Sequence, residues 1–236
     1  MARLFTNDGS LNDAVTVTAQ GYTAWPYGTM AAVVYQTNSS ATDAYNVVVC
    51  GTSAQDFVEL YSRESTHLVQ LWNGTADFGG TTAITLNEWM LIAATKTTGT
   101  TTPRAHLFRW STGTWTHENM GGTLADAAGT GATEHGIGFS GAGNGAFSFF
   151  GHVLAAAAWA SRAMSDSEIE RLASGLWDRW TPSLLMEFPS GRDAPAKTTI
   201  DQSRNRMRQN FSGSQVTRSN IVGPAGFRMS ALNRRR

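Results

Sequence analysis

Apolar and polar residues alternate through most of the chain in short runs, separated by Gly, Asn, Asp, Ser and Thr, which is the signature of strands joined by turns. Thr29–Thr37, Ala44–Gly51, Asp56–Ser62, His67–Gly74 and Glu88–Lys96 are rich in β-branched and aromatic residues and are predicted as strands. Beyond the loop Thr97–Pro103, Arg104–Trp110 followed by Ser111–Trp115 predicts a hairpin. A glycine-rich connection at 136–145 precedes Ala146–Ala160, which supplies one or two strands, and Ser183–Pro189 adds another.

One segment breaks this period. Ser165 stands at an N-cap position with Glu168 three residues on, placed to reach back to the Ser165 backbone in a capping box. Met164 and Ile169 occupy staple positions, Leu172 continues the apolar face, and Gly175 sits where a left-handed C-terminal cap belongs. The prediction is one short helix near residues 166–174. A single late helix in a chain of strands predicts an all-β fold, a two-sheet antiparallel sandwich. At 236 residues the chain is long enough for one sizeable core. The expected organisation is a main domain over 1–190 and an extended arm over 191–236, the arm carrying at most one short strand near Ser214–Arg218.

The formal net charge of zero hides a segregation. Residues 1–190 hold eight Lys and Arg against sixteen Asp and Glu, a balance of −8, whereas residues 191–236 hold ten against two, a balance of +8. Arg204, Arg206, Arg208, Arg218, Arg228, Arg234, Arg235 and Arg236 make the tail a candidate assembly arm. Its favoured partner is the acidic body of the same or a neighbouring subunit, and the plain alternative is a solvated tail that aids solubility. Nucleic acid is the weaker candidate, because only Phe211 and Phe227 interrupt the tail and no stacking platform for single strands is present.

Cys50 is the sole cysteine and lies in an apolar run, so no intramolecular disulfide forms, and no neighbouring base activates the thiol. The opening MARLFTNDGS lacks the pattern of a signal peptide. The longest apolar run, VLAAAAWA, falls far short of the roughly 20 residues of a membrane span.

Catalytic motifs are weak. Gly138–Ala142 misses the nucleophile-elbow pattern at its last position, and the GxGxxG string at 136–141 is not followed by a helix pattern. The strand motif that pairs acid and nucleophile in jelly-roll glycosidases is absent, so the expectation is a protein without enzymatic activity. The five histidines, His67, His106, His117, His135 and His152, read as dispersed, and no metal ligand set is assigned. Asp43, Asp77 and Asp126 are loop positions for calcium without the dense acidic spacing of a dedicated site, so no cofactor is expected. Trp72 beside Asn73, together with Trp110 and Trp115 flanking a Ser-Thr-Gly-Thr turn, are candidate glycan-binding residues, since turn-borne rings stack on sugar faces. Trp89 and Trp159 read as core, and Trp177 and Trp180 as anchors of the helix or an interface.

The order of segments resembles the concanavalin A-like jelly rolls of laminin G-like type. The residues that carry the likeness are Glu88-Trp89-Met90-Leu91-Ile92 before the hairpin, then Gly151, Val153, Trp159, Arg162, Ala163, Met164, Ser165, Asp166, Glu168, Ile169, Leu172, Ala173 and Gly175. Leu184–Phe188 and the opening Arg3-Leu4-Phe5 with Asp8-Gly9-Ser10 complete it. Chains of this style also look like proteins of tailed bacteriophages. The resemblance implies a jelly-roll sandwich in a virion structural component of tail, collar, fibre or capsid surface, made in the bacterial host cytoplasm. It further implies a homo-oligomer among other virion proteins, with host-surface glycan as a second contact. A free-standing lectin is the alternative, with a polysaccharide-active enzyme ranked below it.

Overall fold

The computed structural model describes residues 3–5, 14–18, 28–37, 44–50, 58–63, 68–72, 77–100, 102–124, 134–137, 149, 151–160, 162–177, 184–187, 198–200, 208–212, 217–218, 223–225 and 227. In chain order the elements are β1 (Arg3–Phe5), β2 (Ala14–Thr18), β3 (Gly28–Gln36), β4 (Ala44–Cys50), β5 (Val58–Arg63), β6 (Leu68–Trp72), β7 (Asp77–Ala83), β8 (Trp89–Lys96), β9 (Arg104–Arg109), β10 (Thr114–Asn119), β11 (Glu134–Ile137), β12 (Gly151–Ala160), α1 (Asp166–Ala173), β13 (Leu184–Glu187), β14 (Thr198–Ile200), β15 (Arg208–Ser212) and β16 (Thr217–Arg218). Two antiparallel sheets result. The first runs β10-β9-β8-β3-β12-β1-β16, with β13 pairing along β12, and the second runs β14-β15-β2-β11-β4-β5-β6-β7. No described helix is long and apolar enough to cross a membrane.

The central strands β3, β8 and β12 of the first sheet are apolar on both faces because both faces are covered. Met30, Ala32, Val34, Met90, Ile92 and Ala94 meet Leu60, Val69, Leu71 and Phe78 of the second sheet in the inter-sheet core. Ala31, Val33, Trp89, Leu91 and Ala93 point the other way, into a second cluster with Met164, Ile169, Leu172 and Trp177. A register shift between Val153 and Ala155 changes the parity of β12. Val153 faces the inter-sheet core, as do Ala156 and Ala158, while Ala155, Ala157 and Trp159 face the outer cluster.

The helix forms as its sequence dictates. Ser165 N–H donates to Glu168 Oε2 at 2.9 Å, and Arg162 Nη2 holds the other oxygen of that carboxylate at 2.6 Å. At the far end Gly175 adopts φ 85°; its N–H donates to Leu172 O at 2.9 Å and that of Leu176 to Arg171 O at 3.3 Å, which is a Schellman ending. Trp177 Nε1 adds a third bond, to Leu172 O at 2.8 Å, and its buried ring packs 5.8 Å from that of Trp159. Trp177 therefore fixes the helix to the sandwich, whereas Trp180 lies outside the described residues.

Two corrections follow. The segment beyond residue 190 was expected to hold at most one short strand, near Ser214–Arg218, yet its described residues hold three, of which β16 is the expected one. β15 pairs with β2 and β14 with β15 in one sheet, and β16 pairs with β1 in the other. Backbone groups left open at the edges of β1 and β2 recruit these strands despite their largely polar sequences. Phe227, also placed in the arm, packs partly buried on the outer cluster, its ring 5.6 Å from Trp110 and 6.3 Å from Trp177. The second correction concerns β2, β7 and β11, three strands for which the sequence pattern gave no prediction.

Candidate functional site

The β9–β10 hairpin forms one side wall of the first sheet, with Trp115 opposite Phe108 and His117 opposite His106. Its turn is closed by Gly113 N–H donating to Arg109 O at 2.8 Å. Strand alternation places Ala105 and Leu107 in the inter-sheet core, and Phe108 and Trp115 on the outer face, where the outer cluster also takes Trp110. These rings form a row. Phe108 lies 5.0 Å from Trp110 and 4.8 Å from Trp115, and Trp115 stacks on His117 at 5.2 Å with 9° between planes.

Trp110 and Trp115 are partly buried, so each ring is shared between the outer cluster and solvent. Ser111, Thr112 and Thr114 are exposed beside them, with the two threonine hydroxyls 2.6 Å apart. Ser111 Oγ donates to Glu88 Oε2, whose partner oxygen lies 3.6 Å from Arg109 Nε. The hairpin end thus joins two indole rings to hydroxyls, a carboxylate and a guanidinium.

Farther along the same face, polar groups replace the rings. His106 Nδ1 lies 2.8 Å from His117 Nδ1, His106 Nε2 2.8 Å from Thr95 Oγ1, and His117 Nε2 3.3 Å from Glu170 Oε1. Asp166, the first residue of α1, brings Oδ1 to 3.7 Å from His106 Nδ1 and 4.0 Å from His117 Nδ1. Its other oxygen accepts from Arg104 Nη2 at 2.8 Å. Burial, followed by the neighbouring His117, pushes the His106 imidazole down to about 3, against a smaller upward pull from Asp166. His106 is accordingly neutral in the neutral pH range.

The other predicted positions that are described lie on other strands. Trp72 ends β6, in register with Glu59 and Asp77 on the neighbouring strands of the second sheet, and Asn73 lies outside the described residues. Asp77 opens β7, while Asp43 and Asp126 are outside the described residues. Of the arm arginines, Arg208 lies in β15 rather than on an extended arm, and Arg218 lies in β16, where a short strand was expected. Arg204, Arg206, Arg228, Arg234, Arg235 and Arg236 fall outside the described residues. Sequence reasoning missed the His106–His117–Asp166 grouping. The available signal was the hairpin itself, whose turn sets 106 opposite 117.

The chain matches no family model and no curated protein. Among solved structures it is similar to a putative carbohydrate binding protein from Bacteroides ovatus, with 15% identity and a TM-score of 0.69 over 95% of this chain and 61% of that one. It is also similar to the CBM40 of Ruminococcus gnavus IT-sialidase bound to α2,3 sialyllactose, at 15% identity and TM-score 0.51 over 72% and 95% of the two chains. A third likeness is to full-length tailspike protein 2 of an Escherichia coli O157:H7 bacteriophage, at 19% identity and TM-score 0.51 over 72% and 23%. The chain spans about three fifths of the length of the Bacteroides protein. Fold and comparisons together define the class: an all-β, two-sheet antiparallel jelly-roll sandwich with one short helix on its outer face.

Proposed function

We propose that this chain is a non-catalytic carbohydrate-binding module whose contact surface is the end of the β9–β10 hairpin. The observation that carries the reading is the pairing of partly exposed Trp110 and Trp115 with the hydroxyls of Ser111, Thr112 and Thr114 and the carboxylate of Glu88. Indole faces take the apolar face of a pyranose, and a few fixed polar groups read its hydroxyls. The jelly-roll likeness to proteins described as carbohydrate-binding supports it. Glu88 is engaged by Ser111 and Arg109, which suits a binding group better than a general acid.

The test is binding of the full chain to a broad glycan panel, followed by titration of the best ligand against Trp110→Ala and Trp115→Ala. Each variant is expected to bind at least about tenfold more weakly, the worth of roughly 1.4 kcal/mol, with its far-ultraviolet circular dichroism unchanged. Absence of any glycan binding by the wild type removes the reading.

A second reading places the module in a bacteriophage virion, self-associating and touching a host-surface glycan. The likeness to a phage tailspike and the charge separation between residues 1–190 and 191–236 favour it. Light scattering of the full chain across a salt series tests the association: a mass that falls with salt supports a charge-driven oligomer, and a salt-independent monomer opposes it.

A further inference from the structure

We propose that His106, His117 and Asp166 form a binding site for a borderline divalent transition metal, with zinc as the expected ion. The three donor atoms, two imidazole Nδ1 and one carboxylate Oδ1, lie within 4.8 Å of one another and come from three separate elements, β9, β10 and α1. Zinc bonds of about 2.0–2.1 Å in a tetrahedron set ligand atoms ~3.3 Å apart. The observed separations of 2.8, 3.7 and 4.0 Å straddle that value, so small shifts of the side chains close the site.

The surrounding hydrogen bonds argue for the same thing. Glu170 is acceptor-only when ionised, so the His117 Nε2 that faces it carries the proton, leaving a lone pair on Nδ1 in the neutral ring. His106 is in the same state when its Nε2–H donates to Thr95 Oγ1. Two imidazole nitrogens bearing lone pairs and a carboxylate oxygen then lie within 4.0 Å of one another, a donor set that a cation can occupy. Without a cation the Thr95 hydroxyl turns to donate to Nε2, and His106 instead donates its Nδ1–H to His117. Metal binding moves that one proton from Nδ1 to Nε2, with no net change in the protein's proton count.

Each proposed ligand also has an outer partner that fixes its orientation: Thr95 for His106, Glu170 for His117 and Arg104 for Asp166. The Arg104 charge lowers affinity for a cation, yet by holding Oδ2 it directs Oδ1 toward the histidines. Nitrogen donors select against calcium and magnesium, which take oxygen. The side chain of His106 is 0% exposed, whereas those of His117 and Asp166 are 15% and 44% exposed. The site is therefore closed at its base and open to solvent on one side, which leaves a coordination position for water. The proposal is independent of glycan binding.

The experiment is zinc titration by calorimetry of the full chain, purified without a histidine tag and stripped with chelator, alongside visible spectra of the cobalt-loaded protein. One zinc per chain and the absorption of tetrahedral cobalt are expected. His117→Ala and Asp166→Asn should each lose at least tenfold in affinity, and Glu170→Gln about 10–100-fold, the range for an outer partner. Failure of the wild type to bind zinc overturns the proposal. So does equal binding by wild type and the His117→Ala and Asp166→Asn variants, which keep the chain's other histidines.

Discussion

Thr29 ties the approach to the helix onto the first sheet. Its buried hydroxyl donates to Arg162 O at 2.8 Å and accepts from Met164 N–H at 3.0 Å, across more than 130 residues of sequence. Thr29→Val keeps the shape and strands both backbone groups, so an expected cost of about 1–3 kcal/mol follows from the unpaired buried amide; urea unfolding monitored by tryptophan fluorescence measures it. Nothing in the local sequence marks Thr29 for this role, since a threonine in an apolar strand is unexceptional. Ser165 and Glu168 differ, because their bond closes within four residues and spacing alone reveals it. His106 and His117 lie between these cases: hairpin register makes them neighbours, but only the arrival of Asp166 from α1 makes them a group.

At the scale of elements, the two sheets meet along the edges of β7 and β10. Glu118 of β10 accepts from the backbone N–H groups of Thr81 and Thr82, each at 2.8 Å, and from Thr81 Oγ1 at 2.5 Å. Gly121 N–H donates to Gly79 O at 2.9 Å. Burial tends to raise the Glu118 carboxyl, but the bonds from Thr81 and Thr82 outweigh it and hold it below its ordinary value of 4.5. A carboxylate favoured in the folded state stabilises that state above pH 4.5, and the contribution is lost as pH falls through the lowered folded value. Glu118→Gln is expected to cost about 1 kcal/mol near neutrality, after solvent screening of so exposed a group, and the difference from wild type should shrink below pH 4.5. Thermal melts of the two proteins over a pH series check it. The same seam explains why β7 escaped prediction: a Cβ on Gly80 would lie 2.4 Å from Glu118 Oε1 and 3.2 Å from the Ala105 Cβ. Its glycines admit a neighbouring edge, although in sequence they read as a turn.

Across the whole molecule, the segment beyond residue 190 contributes to both sheets. β16 covers β1, β15 covers β2, and Phe227 covers part of the outer cluster. Ending the chain at Ser190 would expose two strand edges and the rings of Trp110 and Trp177. The truncated chain is expected to lose at least about 2 kcal/mol, read as a fall in Tm of roughly 4–8 °C for a protein of this size, and to self-associate at concentrations where the full chain does not. Calorimetry and light scattering on both chains decide this; an unchanged Tm would mean that the three terminal strands add nothing to the fold.

By itself the sequence determined the class of secondary structure, the position and both caps of the described helix, and a hairpin that begins at Arg104. In each of these the informative residues are close in the chain, and their spacing carries the geometry. Tertiary structure decided which strands border one another, that the central strands β3, β8 and β12 of the first sheet are buried on both faces, and that Arg208 lies in a sheet strand. It also decided that two histidines and an aspartate form one cluster. Those outcomes depend on pairing backbone edges and faces far apart in sequence, and residue spacing along the chain does not encode which edge meets which.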